Sequence, residues 1–270
     1  GVVNNAPTGN FTDISAGYGF TCAIGTDQKV TCWGTDEDGI VNNAPAGSYR
    51  LLSAGYHQVC ALGLNDDIDC WGANFSGQTN PPSGTFTAMA SAYNADVCAL
   101  RSDQSIACWG SGSDGMGNPP VGSFTAIAAG RYHFCAINTS GGVECWGQDG
   151  NGQVSNAPTG TFSALSSGGY HTCGINPSGG VECWGNDNYN QVSYTPSGTF
   201  AALSSGPSHT CGITTSGSVE CWGSSSSITG TPSNGIFTDI QSNYSSVCGL
   251  LATGNVLCWG NDSNGQTNPP

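Results

Sequence analysis

Cations are what this chain has least of. Its 270 residues include four Lys and Arg (Lys29, Arg50, Arg101 and Arg131) against eighteen Asp and Glu, a formal charge of −14. Phosphate backbones are gripped by dense Lys/Arg surfaces, so neither nucleic acid nor anionic membrane is an expected partner. Cations, neutral glycans or a basic protein face remain. No apolar run approaches the roughly 20 residues of a membrane span, and no membrane insertion is expected. Charged residues of all kinds reach only 8%, unlike a charge-rich disordered chain. An initiator Met and a signal-like start are both missing, which reads as a mature form or an excised domain.

What is present is repetition. Cys-Trp-Gly occurs with its Trp at 33, 71, 109, 146, 184, 222 and 259, at spacings of 38, 38, 37, 38, 38 and 37. Ten residues before each of these cysteines stands another. The expected disulfides join Cys22 with Cys32, Cys60 with Cys70, Cys98 with Cys108, Cys135 with Cys145, Cys173 with Cys183, Cys211 with Cys221 and Cys248 with Cys258, and all 14 cysteines are used. In the first unit, 11–15, 21–24 and 30–33 read as strands, and Gly25-Thr-Asp-Gln-Lys29 reads as a hairpin turn. A symmetric hairpin opposes Cys22 to Cys32 and Ile24 to Val30, on one face, at disulfide distance. Between Cys22 and Ile24 every unit has Ala or Gly, as if a neighbouring sheet came close there. Each first strand carries an aromatic anchor: Phe11, Tyr49, Phe86, Phe124, Phe162, Phe200 and Phe237.

A single small sheet cannot bury both its faces, whereas seven can stack around an axis. The expected fold is therefore all-β: a seven-bladed β-propeller with mainly three-stranded antiparallel blades and one disulfide inside each. Residues 1–270 form one domain in this reading, with units at about 8–45, 46–82, 83–120, 121–158, 159–196, 197–233 and 234–270. An open β-solenoid is the alternative. Zinc is the competing use of the cysteines, but zinc sites favour shorter spacings and four ligands in one place. Seven disulfides imply an oxidising compartment, and hence a secreted or cell-surface protein.

The repeat also resembles a known family. The regulator of chromosome condensation repeat reads roughly Gly-x-x-His-Ser/Thr-x-Ala-Leu, a turn, then Val-x-x-Trp-Gly-x-Asn-x-x-Gly-Gln. Gly168-Gly-Tyr-His-Thr-Cys-Gly-Ile175 and Val181-Glu-Cys-Trp-Gly185 match it, as do 130–137 and 206–213. The trailing Gly-Gln recurs at Gly77-Gln78, Gly152-Gln153 and Gly265-Gln266. The short period is most similar to bacterial secreted members, the propeller-type β-lactamase inhibitory proteins, which lack this cysteine ladder. The resemblance implies a propeller. Its nuclear roles do not fit an acidic, disulfide-rich chain.

The loop before the first Cys of each unit carries Tyr18, Tyr56, Tyr93, Tyr132, Tyr170 and Tyr244; the sixth unit has Pro207-Ser208. In a propeller these loops ring one end of the channel. Tyr offers large contact area at low entropy cost, and the inhibitor resemblance implies partner contact from this loop. The plainer alternative is that the rings pack the funnel wall.

His133, His171 and His209 precede a Cys by two residues, with His57 displaced by one, and read as satisfied strand-end histidines. Glu144, Glu182 and Glu220 fall opposite the disulfide face, where they could bond a neighbouring unit's histidines. Repeated in three units, they do not read as catalytic. No catalytic residue, metal site or cofactor is expected. The acidic loops Thr35-Asp-Glu-Asp-Gly39, Gln148-Asp-Gly-Asn-Gly152 and Asn261-Asp-Ser-Asn-Gly265 echo calcium loops but lack the full ligand set. Asn10, Asn74, Asn138, Asn243 and Asn261 begin Asn-x-Ser/Thr sequons.

Residues 1–7 nearly repeat 39–45, and 265–270 copy 77–82. Both ends thus correspond to one connecting segment, so one is expected to fill the slot and the other to join a neighbour. The leading functional reading is an extracellular non-enzymatic binding or scaffold module engaging a protein or glycan. The alternatives are a self-associating subunit of a surface filament or tandem array, favoured by the ends and the scarcity of tryptic sites, and a secreted hydrolase or lyase.

Overall fold

The computed structural model describes residues 10–224, 230–244 and 246–260; the paired end segments lie outside these. Twenty-one strands form seven three-stranded sheets, each ordered as in the sequence. Blade 1 is β1 (Phe11–Ala16), β2 (Phe20–Gly25) and β3 (Val30–Gly34); blade 2 is β4 (Tyr49–Ala54), β5 (Gln58–Gly63) and β6 (Ile68–Gly72). Blade 3 comprises β7 (Phe86–Ser91), β8 (Asp96–Arg101) and β9 (Ile106–Gly110); blade 4, β10 (Phe124–Ala129), β11 (His133–Asn138) and β12 (Val143–Gly147). Then come β13 (Ala164–Ser167), β14 (His171–Ile175) and β15 (Val181–Gly185) in blade 5, and β16 (Phe200–Ser205), β17 (His209–Thr214) and β18 (Val219–Gly223) in blade 6. Blade 7 holds β19 (Phe237–Ser242), β20 (Ser246–Leu251) and β21 (Val256–Gly260).

The hairpin register is the expected one: Cys22 opposes Cys32 and Ile24 opposes Val30. All seven cysteine pairs are disulfides within a blade. Cys22 is bonded to Cys32, Cys60 to Cys70, Cys98 to Cys108 and Cys135 to Cys145. Cys173 is bonded to Cys183, Cys211 to Cys221 and Cys248 to Cys258. This is the chemistry of an oxidising compartment. The two sulfurs of a bond are not equally covered. The first cysteine lies on the middle strand and is buried in every blade, whereas Cys70, Cys108, Cys145, Cys183 and Cys221 lie on the outermost strand and are half-buried.

The β1–β2 pairing steps over Thr12, a bulge also seen in blades 2, 3, 4, 6 and 7. Bulges deepen the local twist, which a stacked blade needs.

The hydrophobic cores lie between blades. Phe20, Cys22 and Ile24 pack against Tyr49, Leu52, Val59 and Trp71 of the next blade. The last blade meets the first in the same way: Cys248, Leu250 and Cys258 pack on Phe11, Ile14 and Trp33. The ring is therefore closed, and the solenoid alternative falls.

Backbone bonds repeat the closure. The N–H of each aromatic anchor donates to the turn of the preceding blade: Tyr49 to Gln28, Phe86 to Asp66, Phe124 to Gln104, Phe162 to Gly141, Phe200 to Gly179 and Phe237 to Gly217. Phe11 to Gly254 joins the ends of the ring at 3.1 Å. Each of these turn acceptors has positive φ, which turns its carbonyl outward toward the neighbour.

The first strands line a central cavity of about 270 Å³. Serines there tie neighbours together: Ser15 Oγ accepts from Ala54 N, Ser53 Oγ from Ser91 N, Ser166 Oγ from Ser205 N and Ser204 Oγ from Ser242 N. At the seam, β1 and β19 contribute the half-buried carboxylates Asp13 and Asp239. Asp13 accepts from Leu52 N and Asp239 from Ile240 N. Burial, then the Asp239 charge, pushes Asp13 up to about 7; burial pushes Asp239 up to about 6.

Two local expectations change. Where the small residue between Cys and Ile is Gly, the blade's own anchor sets it: a β-carbon at Gly174 would lie 2.5 Å from Phe162 Cδ1; Ala23 and Ala61 instead pack in the clusters between blades. The Glu144, Glu182 and Glu220 side chains are exposed, and Glu144 takes a bond from Asn138 of its own hairpin. The histidines are buried elsewhere.

Candidate functional site

The tyrosines reach one end of the ring because their loops stack backbone to backbone. Gly17, Gly55, Gly130, Gly168 and Gly206 start these loops. A β-carbon at Gly168 would sit 2.2 Å from the Gly206 carbonyl, and one at Gly17 would sit 2.6 Å from that of Gly55. The connecting segments leave from the same end, since Thr35 N, Ala73 N, Gln148 N and Asn186 N donate to carbonyls of the loops they pass.

The rings form two groups. Tyr18 stacks on Tyr56 at 4.2 Å and meets Tyr244 edge-on at 5.6 Å. Tyr132 lies 5.7 Å from Tyr170. Tyr93 stands between the groups but turns inward, where it lines the central cavity. Burial pushes its phenol well above the usual range, against the opposing pull of Arg131. The rings thus pack on one another and still show an edge: Tyr244 is exposed, the other five half-buried. Burial, then the Tyr18 hydroxyl, raises the Tyr56 phenol.

Around this aromatic centre the connecting segments set exposed Glu37, Asp38, Asp114, Asp149 and Asp187. His57 Nδ1 pairs with Asp38 at 2.8 Å. The acidic loops use carboxylates on their own amides: Asp36 Oδ1 accepts from Val41 N and Asn42 N, and Asp149 Oδ1 from Val154 N and Ser155 N. These bonds, led by Ser155, hold Asp149 below the usual carboxylate range. The third such loop, at 261–265, lies outside the described residues. Among the described residues no three His, Cys, Asp or Glu gather to hold a metal, and no helix is long and apolar enough to cross a membrane. Asn243 is buried and bonded to Ser246 N, so its sequon is closed, whereas Asn10 and Asn74 are exposed.

Beside the tyrosines a second cavity, of about 330 Å³, opens between blades 2, 3 and 4. Its aromatic walls are Tyr56, Phe75, Tyr93 and Tyr132, and Asn94 and Arg131 are among its polar groups. Sequence reasoning missed this cavity. Phe75, 85% exposed, has no aromatic counterpart in the other units, and Arg131 was counted only for its charge.

Five stretches, at residues 11–40, 124–153, 162–191, 200–227 and 237–266, match the model of the Regulator of chromosome condensation (RCC1) repeat, together more than half of the chain. No curated protein matches the sequence. Among solved structures, the ectodomain of the Physcomitrella patens receptor kinase CR4 is 28% identical. Its TM-score is 0.81, over 94% of this chain and 74% of that one. The CRINKLY WD40 ectodomain of the Arabidopsis thaliana receptor kinase ACR4 is 24% identical (TM-score 0.79, 94% and 98% covered). Prp20p from Saccharomyces cerevisiae, described with its binding to Gsp1p and histones, is 13% identical (TM-score 0.71, 97% and 84% covered). The latter two share the fold alone.

Proposed function

The chain belongs to the regulator of chromosome condensation (RCC1) repeat family, and on that footing we propose that it is an extracellular, non-enzymatic module that binds a protein through its tyrosine face. The observation that carries this reading is the aromatic centre at the channel mouth, Tyr244, Tyr18 and Tyr56 with Tyr132 and Tyr170, inside an acidic rim. Large, rigid rings with polar tips, at the centre of a patch, have the composition of interface hot spots. The rim and the charge of −14 favour a partner with a basic surround. A non-enzymatic role agrees with the use of the repeated groups. His133 and His171 bond threonines of the next blade, and Glu144 serves its hairpin. The seven disulfides and the receptor-ectodomain likeness support the extracellular placement.

The test compares the immobilised wild-type chain with a double variant, Tyr18→Ser with Tyr170→Ser, against secreted proteins and a glycan array. Capture of a defined protein by the wild type, weakened about tenfold or more in the variant, is the expected result. Binding that ignores both substitutions, glycans as the only ligands, or self-association in place of a partner would overturn it.

A further inference from the structure

Three of the four cations are occupied. Lys29 Nζ donates to the carbonyls of Ala46 and Gly47, Arg50 pairs with Asp66 at 2.7 Å, and Arg101 donates to the Ser83 carbonyl. Arg131 differs. Its backbone N–H is fixed on Gly168 O at 3.1 Å. Its guanidinium stacks 5.1 Å from the Tyr132 ring centre. That guanidinium makes no hydrogen bond or ion pair among the described residues. It borders the 330 Å³ cavity, which no carboxylate lines. A half-buried, pre-oriented fork of donors in an aromatic pocket is built to take a planar anion.

We propose that this cavity receives one Asp or Glu side chain of a partner protein, its carboxylate held by Arg131 and its stem against Tyr56, Phe75 and Tyr93. This rests on the tyrosine-face reading and names the residue that the face selects. Charge placement decides for a peptide over an anionic glycan. A uronate polymer repeats its charge and would set the next ones against Glu37, Asp38 and Asp114. A peptide can present one carboxylate and flank it with Lys or Arg, which that rim attracts.

The probes are two pools of short synthetic peptides with randomised aromatic and small positions, identical except for a central Glu or Gln between lysines, plus an oligoglucuronate. Fluorescence anisotropy at low salt measures binding to the full chain. The Glu pool is expected to bind about tenfold or more tighter than the Gln pool, the size of one charge-assisted bond. Arg131→Gln should erase the preference and Arg131→Lys restore part of it, with unchanged near-ultraviolet spectra. If Arg131→Gln does not fold, Arg131→Lys alone should still shrink the preference. Tyr170→Ser, which is not part of the cavity, should weaken both pools alike. Equal binding of the two pools that still responds to Tyr170→Ser would overturn the Arg131 assignment and leave the tyrosine face standing. Absence of peptide binding, or binding indifferent to Tyr170→Ser, would overturn both. Oligoglucuronate bound through Arg131, with the peptides silent, would overturn the peptide as occupant.

Discussion

His133, His171 and His209 hold one position in successive blades and fare differently. The first two reach Thr172 and Thr210 of the next blade at 2.8 Å. His209 comes to Val247 at the equivalent place, and both its ring nitrogens are buried without a partner among the described residues. Val247→Thr should supply the missing hydroxyl. The expected gain is about 1 kcal/mol, a rise of roughly 2–4 °C in melting temperature for a chain of this size. Calorimetry showing no gain would count against the pairing. Burial lowers His133 and His209 to about 4 and His171 to about 3. The unfolded chain therefore binds protons first as pH falls. These residues cost stability from about pH 6.5 downward and are neutral bystanders above it. Turn residues offer a second prediction. Gln104 holds φ 72° where the later blades place Gly at the same position. Gln104→Gly should relieve up to about 1 kcal/mol of left-handed strain, read as a higher denaturation midpoint. The histidine positions stand out in the sequence as Gly-x-x-His. Their partners do not, because each lies one blade onward, and repetition alone does not say which face of a sheet meets the next.

At the scale of the element, the hairpins were the most legible part. The opposition of Cys22 to Cys32 and of Ile24 to Val30 follows from alternation and a five-residue turn, and the structure pairs them so. The bulge after the anchor in blades 1–4, 6 and 7 was hidden. The residue stepped over, such as Thr12 or Thr125, is an ordinary exposed strand residue, and two extended chains show no skipped rung until they are paired. Also hidden was the use of Trp. The indole N–H of Trp71, Trp109, Trp146, Trp184 and Trp222 donates to Ile40, Gln78, Met116, Gln153 and Gln191 carbonyls in the preceding connection. Each connection is thereby clamped over the blade it leads to. Trp146→Phe should cost about 1 kcal/mol and speed hydrogen exchange in residues 112–118 before the strands of blade 4. Replacing Cys135 and Cys145 by Ala should cost about 2–3 kcal/mol through the unfolded chain, measured as a shift in urea midpoint. An unshifted midpoint would mean the packing alone holds the blade.

Over the whole molecule, the seam between blades 7 and 1 is the place with a built-in conflict. Asp13 and Asp239 are raised to about 7 and about 6, so the folded ring holds protons that the unfolded chain releases near pH 4. Their contribution is full at low pH and lost as pH rises through 6–7, opposite in sign to that of the histidines. Asp239→Asn should therefore raise stability by about 1–3 kcal/mol at pH 8, and the difference should fade as pH approaches 4. A gain independent of pH would show that charge is not the cause. That the first strands of blades 1 and 7 meet through two acids was illegible, because nothing local marks residues so far apart as neighbours. The inward turn of Tyr93 was equally so, since all six tyrosines look alike in the repeat. Finally, every sulfur finds its mate ten residues away. Each blade can oxidise on its own, whatever the state of the others, with no crossed linkage to reshuffle. A gene duplication that copies one such cassette adds no orphan thiol, so the size of the wheel is free to change in evolution while its covalent plan stays intact.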